Sequence, residues 1–191
     1  MGSLAWGDES IRVGATPPMY LLAATIIDPE ERLDDLKEVK PRNAEKLHWR
    51  DMTYQLQTKS LKVLTEVNHD TIIVAGGPLP KKKQERARRK CLERLLLELQ
   101  AFEVGKLVLE SRNDKKNKED IELLLSMRRK KLARSIDISH EEAGKEPRLW
   151  IPDQILGAYG DVLCDGQGVN RWRGYWDQVS KSIRIVRIGL I

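Results

Sequence analysis

Two apolar runs, over residues 4–10 and 19–27, open the chain with Gly14 to Pro18 between them, and they constrain the fold more than anything that follows. Both have the length and residue types of strands, and the glycine and prolines between them read as the connection of an antiparallel hairpin. Asp28-Pro29 stops the second run. Helix-like and strand-like stretches then alternate. The pattern predicts a short helix over 30–39 ended by Pro41, and a longer helix capped by Asn43 that carries Leu56, Val63, Leu64 and Val67. A third strand over 71–75 is broken by Gly76-Gly77-Pro78. The helix predicted over 81–102 places Leu92, Leu95, Leu96, Leu99 and Phe102 on one stripe. Next come a strand over 106–112, a helix over 119–132 with Ile121, Leu124, Leu125 and Leu132 inward, and a strand over 135–139. A helix from Pro152 to about Cys164, a loop at Gly166 and Gly168, and an edge strand over 182–188 complete the chain. A hairpin followed by alternating segments implies an α/β fold, a mixed sheet with helices on its faces, because parallel neighbours need crossover connections.

At 191 residues, one core is expected, a single domain over 1–191. Cys91 and Cys164 are too few for a disulfide framework and match no zinc spacing, which points to a reducing, cytoplasmic setting. No apolar run is long enough to span a membrane, and residues 1–7 lack the basic and apolar regions of a signal peptide.

The charge is unevenly spread. Of a net +5, the stretch 81–90 alone supplies +6, from seven bases (Lys81, Lys82, Lys83, Arg86, Arg88, Arg89, Lys90) against one acid, Glu85. A block this concentrated on an otherwise neutral chain is the footprint of a polyanion contact, or else a solvated helix face. On a helix, Lys81, Lys82, Arg86, Arg89 and Lys90 share roughly one side.

Acids also stand where acids are costly. Asp8 and Glu9 end an apolar strand, Glu110 interrupts Leu107-Val108-Leu109, and Asp153 follows Trp150-Ile151-Pro152 at a helix start. By strand alternation, Asp8 shares a face with Leu4 and Trp6, and Glu110 with Val108 and Arg112. Gly157 and Gly160, on the stripe of Asp153, permit close approach of that helix to the sheet. Carboxylates converging from separate elements suit Mg2+ or Mn2+, whose hard ions take oxygen ligands. Each acid also has an ordinary reading: helix-dipole stabilisation for Asp153, an edge charge for Glu110, a turn for Asp8-Glu9.

With Leu4-Ala5-Trp6-Gly7-Asp8-Glu9-Ser10 at the start and Leu149-Trp150-Ile151-Pro152-Asp153-Gln154-Ile155-Leu156-Gly157-Ala158 near the end, the chain resembles the prokaryotic domain of unknown function 3800 family. Lys46-Leu47-His48-Trp49 and Leu109-Glu110-Ser111-Arg112 add to the resemblance, which spans nearly the whole chain. It implies a ribonuclease H-like fold, a five-stranded mixed sheet flanked by helices. It further implies two divalent ions held by Asp8 on the first strand, Glu110 on the fourth and Asp153 on the last helix, with Glu9 as a further ligand or supporting acid. Ile11 and Pro152 depart from the family pattern. The fourth ligand stays open: Glu45 fits by rough position, and Asp114 lies about 13 Å of extended chain beyond Glu110.

His48 fits either proton transfer and phosphate contact or packing beside Trp49. His140, in a stretch before Asp153, is either a site-mouth or a surface histidine. Trp172, Tyr175 and Trp176, set among Arg171, Arg173 and Lys181, suit base stacking, a core lid or a homodimer contact. Gly76-Gly77-Pro78 lacks the frame of a phosphate loop, and neither cysteine has the partners of a nucleophile. These features together point to a Mg2+- or Mn2+-dependent nuclease acting on DNA or RNA, with Asp8, Glu110 and Asp153 as catalytic residues. Lys81, Lys82, Arg86, Arg89 and Lys90 are then the nucleic-acid contacts, with Glu9 on the metal and His48, Arg112 and Asp114 as auxiliaries. The rival is a non-catalytic nucleic-acid-binding or protein-interaction module on the same fold.

Overall fold

The computed structural model describes residues 2–164 and 173–190, the side chain of Arg173 excepted. The loop expected at Gly166 and Gly168, and the residues Arg171 and Trp172, lie outside the described residues. The chain runs β1 (Ser3–Arg12), β2 (Met19–Ile27), α1 (Asp34–Val39), α2 (Tyr54–Leu64), β3 (His69–Gly77), α3 (Gln84–Ala101), β4 (Val104–Glu110) and α4 (Asp114–Arg129). It continues with β5 (Asp137–Glu141), α5 (Trp150–Cys164), α6 (Arg173–Val179) and β6 (Ile183–Gly189). The strands form one six-stranded mixed sheet in the order β5-β4-β1-β2-β3-β6. β1 and β2 are the expected hairpin and β3 extends it antiparallel; β4 pairs parallel with β1, β5 with β4, and β6 with β3.

Six strands rather than five make up the sheet. The extra one, β6, docks on the outer edge of β3 through Thr71↔Ile183 to Gly77↔Gly189. Among the described residues, no helix is long and apolar enough to cross a membrane.

Strand alternation sorts the core into two layers. Trp6, Leu21, Ala23, Ile73, Ala75 and Val108 face α1, α2, α5 and α6, while Ala5, Leu22, Ala24, Ile72, Val74, Leu107 and Leu109 face α3 and α4. Both faces of the central strands are therefore buried, which is why their sequences read as continuous apolar runs instead of alternating ones.

Several boundaries differ from the sequence reading for local reasons. Thr53, not Asn43, caps α2, accepting from the Leu56 N–H; Trp49–Asp51 forms a separate 3-10 turn before it. α3 starts at Gln84, after Lys82 takes φ 57°, so Lys81 and Lys82 precede the helix instead of sharing its face. Phe102 at its end is exposed, as are Leu125 and Leu132; of the expected inward set of α4, Leu124 is buried, together with Leu123 and Met127.

The glycines of α5 accommodate two specific neighbours. A Cβ at Gly157 would lie 2.0 Å from Cγ of the Trp49 indole, and one at Gly160 would lie 1.8 Å from Nε of Arg12. Gly157→Ala is therefore expected to destabilise the protein by about 1–3 kcal/mol, the usual cost of forcing a packed ring aside. Chemical denaturation measures this, and an unchanged midpoint would mean that Trp49 does not pack there.

Candidate metal centre and its surroundings

The site grows from the register of two strands. The last pair of the parallel β1/β4 ladder is Gly7↔Leu109, so Asp8 and Glu110 follow it directly, side by side where the two strands part. Trp6 and Val108 are paired and both belong to the α5-facing layer; two residues on, Asp8 and Glu110 have the same parity and face the same way. Across β1 on that face lies α5, whose first turn carries Asp153. The chain leaves β1 on one side through β2 and returns on the other as β4. The crevice is thus a switch point at strand carboxyl ends, where open α/β sheets take ligands.

The electrostatics agree with this geometry. Burial, and then the negative charges of Asp153 and Glu110, push the Asp8 carboxyl well above the ordinary carboxylate range. Lys46, in the loop between α1 and the Trp49 turn, donates to Glu110. Burial works against its charge, but the hydrogen bond to Glu110 and the charges of Glu110, Asp8 and Asp153 raise its pKa. Asp153 is tightly held: Oδ2 accepts the Trp49 N–H at 2.7 Å and the Gln154 amide at 2.9 Å, and Oδ1 meets His48 Nδ1 at 2.9 Å. Since a carboxylate only accepts, His48 Nδ1 carries the proton. That hydrogen bond to Asp153 raises the pKa of His48. Among the described residues, no three His, Cys, Asp or Glu side chains are gathered at metal-ligand spacing as they stand.

Two clefts open on this end of the sheet. One, of about 170 Å³, runs between the ends of β1 and β4 and is lined by Asp8, Glu9, Glu110, Ser111, Arg88 and Arg112. The other, of about 570 Å³, lies between the end of β1 and the Trp49 turn and is lined by Ser10, Arg12, His48, Arg50, Gln57 and Asp153. A third groove, also about 570 Å³, sits between α3 and α4, where Arg86, Arg89 and Arg129 alternate with Glu85, Glu119 and Glu122.

No family model matches the chain, and no curated protein matches it.

Of the residues singled out in the sequence, Asp8 and Glu110 line the smaller cleft and Asp153 and His48 line the larger one, not a single shared cleft, and all four face the α5 side of the sheet. Glu9 does not: one residue beyond Asp8, it points to the opposite face, where it accepts from Arg88 and Tyr20. There Arg88 also grips Asp120 with two nitrogens, at 3.2 and 2.8 Å. His140, read as either a site-mouth or a surface histidine, is neither: it donates to Asp120 at 3.1 Å from β5 on this reverse face, where its side chain is only 10% exposed. Arg112, past the end of β4, turns the same way, to Glu85 and Asp120, and so leaves the face of Glu110. Asp114 is exposed in the first turn of α4, and Glu45 is exposed beside Lys46.

In the basic block, Lys81, Lys82, Arg86 and Arg89 are exposed, Arg89 with Glu93 as a partner. Lys90 is partly buried and donates to the Leu190 carbonyl, so it is not a free phosphate contact. Trp176 is a core residue stacked on Tyr159 at 5.9 Å, which removes it from base stacking. Burial pushes the Cys91 thiol up to about 12, in keeping with an inert core cysteine.

Proposed function

We propose that the protein is a divalent-metal-dependent nuclease on a ribonuclease H-like fold, in which Asp8, Glu110 and Asp153 hold Mg2+ or Mn2+. The observation that carries this reading is that Asp8 and Glu110 line one cleft at the parting of β1 and β4 while Asp153, on α5, lies near enough for its charge to act on Asp8. The resemblance to the domain of unknown function 3800 family implies acids on the first strand, the fourth strand and a late helix, and β1, β4 and α5 carry them. The order β5-β4-β1-β2-β3 fits that plan; β6 lies beyond β3, away from the site.

The donor set suits a hard cation. It offers carboxylate oxygens, and burial first, then the charges of Asp153 and Glu110, raise Asp8. Asp153 Oδ2 is occupied by two donors, which leaves Oδ1 as the oxygen with acceptor capacity to spare. When bound, such an ion acidifies a water and stabilises charge on the leaving oxygen. The chain's own groups then have distinct tasks. Trp49 and Gln154 orient Asp153, while His48, on the wall of the larger cleft, presents its Nε2–H to a phosphate oxygen when the ring is doubly protonated, a form its bond to Asp153 favours. Arg50, exposed on the same wall, adds a cation for the backbone of a nucleic-acid strand.

Lys81, Lys82 and Arg86 lie near the same sheet end, since α3 begins after β3, which runs parallel to β1, and its Arg88 reaches Glu9. Replacing these three by glutamine is expected to weaken binding to unrelated sequences and to flatten the slope of log K against log salt by about two to three units. A titration of wild type and variant on one oligonucleotide reads this directly; equal slopes would mark the block as a solvated face.

The second reading, a non-catalytic nucleic-acid-binding or protein-interaction module, is favoured by the spacing of the acids as they stand and by the neutralisation of Glu110 by Lys46. End-labelled single- and double-stranded DNA, RNA and an RNA–DNA hybrid, incubated with Mn2+, Mg2+ or a chelator, separate the two. Metal-dependent cleavage of any one supports the nuclease; intact substrates throughout support the module.

A further inference from the structure

Among the described residues, the most exposed large apolar side chain belongs to neither core layer. Val13, at the tip of the β1–β2 hairpin, is 75% exposed, with Ile11 exposed just before it and Pro17 and Pro18 exposed after it. Residues 13–18 hold no charged side chain, on a chain that is 33% charged. The tip is nevertheless held at both feet. Arg12, the residue before Val13, enters α5 where Gly160 leaves room, donating to the Leu156 and Gly157 carbonyls at 3.0 and 3.1 Å and to Asp161 at 3.2 Å. At the other foot the Pro18 carbonyl accepts the Leu79 N–H at 2.7 Å, and within the turn Ala15 is buried.

Those two feet set the apolar tip between cations. On the α5 side, Ile11 and Arg12 share the larger cleft with His48 and Arg50. On the other side, the bond from Leu79 to Pro18 brings up the segment that carries Lys81, Lys82 and Lys83, all exposed. We infer that the hairpin tip is a base-contacting element: Val13, with Ile11 beside it, meets the face of an unpaired nucleobase while the cations on either side hold the phosphates, so that the substrate is single-stranded nucleic acid. This rests on the nucleic-acid reading above and names its substrate class; it does not depend on a metal ion. An intact duplex turns its phosphates outward and keeps its base faces stacked, so it satisfies the cations and gives an apolar tip nothing to cover it. A wedge driven between paired bases would first have to unstack them. A single strand offers the charged backbone and the apolar base face together. Phosphate contacts alone take either form, so the apolar tip between them is what tells the two apart.

Binding measured in a chelator, which stops metal-dependent cleavage, tests this. Fluorescence anisotropy of the whole protein is read with a labelled oligonucleotide of mixed sequence, as single-stranded DNA and RNA, and with the blunt DNA duplex of the same sequence. Wild type is expected to prefer the single strand. Val13→Ser is expected to lose about tenfold on the single strand, the scale of one apolar side chain left uncovered, and less than about twofold on the duplex. The salt slope on the single strand stays unchanged, because no phosphate contact is lost. Val13→Leu, which keeps the apolar surface, binds like wild type, and melting temperatures within a few degrees of each other establish that all three proteins are folded. Equal affinity of wild type and Val13→Ser for the single strand, an equal loss on strand and duplex, or a Val13→Leu as weak as Val13→Ser overturns the role of the tip and leaves the nucleic-acid reading standing. A wild type that light scattering shows to be dimeric, made monomeric by Val13→Ser with its oligonucleotide affinity unchanged, also overturns it, making the tip a contact between copies. No binding of any of the three oligonucleotides by wild type at low salt overturns the nucleic-acid reading itself, and this inference with it.

Discussion

Asp153→Asn is expected to reduce Mn2+-dependent cleavage by more than about 100-fold while leaving the protein folded. Partners that only orient a metal ligand cost about 10–100-fold when lost, and here the proposed ligand itself loses its charge. Folding survives because the hydrogen bonds can be rebuilt. The asparagine carbonyl replaces Oδ2 as acceptor for Trp49 and Gln154, and its amide donates to His48 once Nδ1 gives up its proton to become the acceptor. His48 should therefore titrate lower in the variant, since its bond to the Asp153 carboxylate is what raises it. Nuclear magnetic resonance titration of the ring checks that shift. A variant that cleaves as well as wild type removes Asp153, and with it the proposed centre, from the chemistry.

The second large effect is on stability. Arg88, only 5% exposed, joins Glu9 to Asp120 on the reverse face of the sheet. Arg88→Met is expected to cost about 3–5 kcal/mol, because it removes the guanidinium that joins the two acids and leaves buried Asp120 with only Arg112 and His140 to offset its charge. For a chain of this length that lowers Tm by roughly 6–20 °C. Converting Glu9 and Asp120 to glutamine and asparagine in the same protein should restore much of the loss, because the stranded charges are the cause. A loss below about 1 kcal/mol for the single variant would mean that the network is not closed as described.

The same network sets an acid limb. Burial opposes the Asp120 charge, but the hydrogen bonds from His140 and Arg88 and the charges of Arg88 and Arg112 bring its pKa down to about 2. A carboxyl depressed on folding contributes stability that is complete above its unfolded value near 4 and is lost as pH falls through the folded value. Wild type should therefore lose stability between about pH 4 and pH 2, and Asp120→Asn, weaker at neutral pH, should lose less over that interval.

The strands were legible in the sequence because burial on both faces writes continuous apolar runs, as in residues 19–27. The shared face of Asp8 and Glu110 was legible because strand parity is rigid. By the same parity Glu9 had to face away from Asp8, a signal present in the sequence that the metal assignment of Glu9 passed over. Lys46 carried no such signal. It sits in a loop with no period, and only the hydrogen bonds of its neighbours to Asp153 fix where it goes. The start of α3 was obscured because lysines favour helix as readily as they tolerate the turn that Lys82 makes at φ 57°. Leu124 is inward as its spacing implied, but Leu125, one residue on, falls on the outer face of α4, and Leu132 lies beyond the end of that helix at Arg129, where helical spacing no longer applies.

The pairing of β1 with β4, and the late arrival of α5, also decide when the crevice exists at all. Asp8 leaves the ribosome about 145 residues ahead of Asp153. At about 5–20 residues per second, that is a delay of roughly 7–30 s. Through that interval the nascent chain holds Asp8, then Lys46, then Glu110, without the helix that completes the group. A chain that stalls or is clipped before α5 therefore lacks the assembled crevice, and the assembled group is found only in molecules whose sheet has already closed around β1.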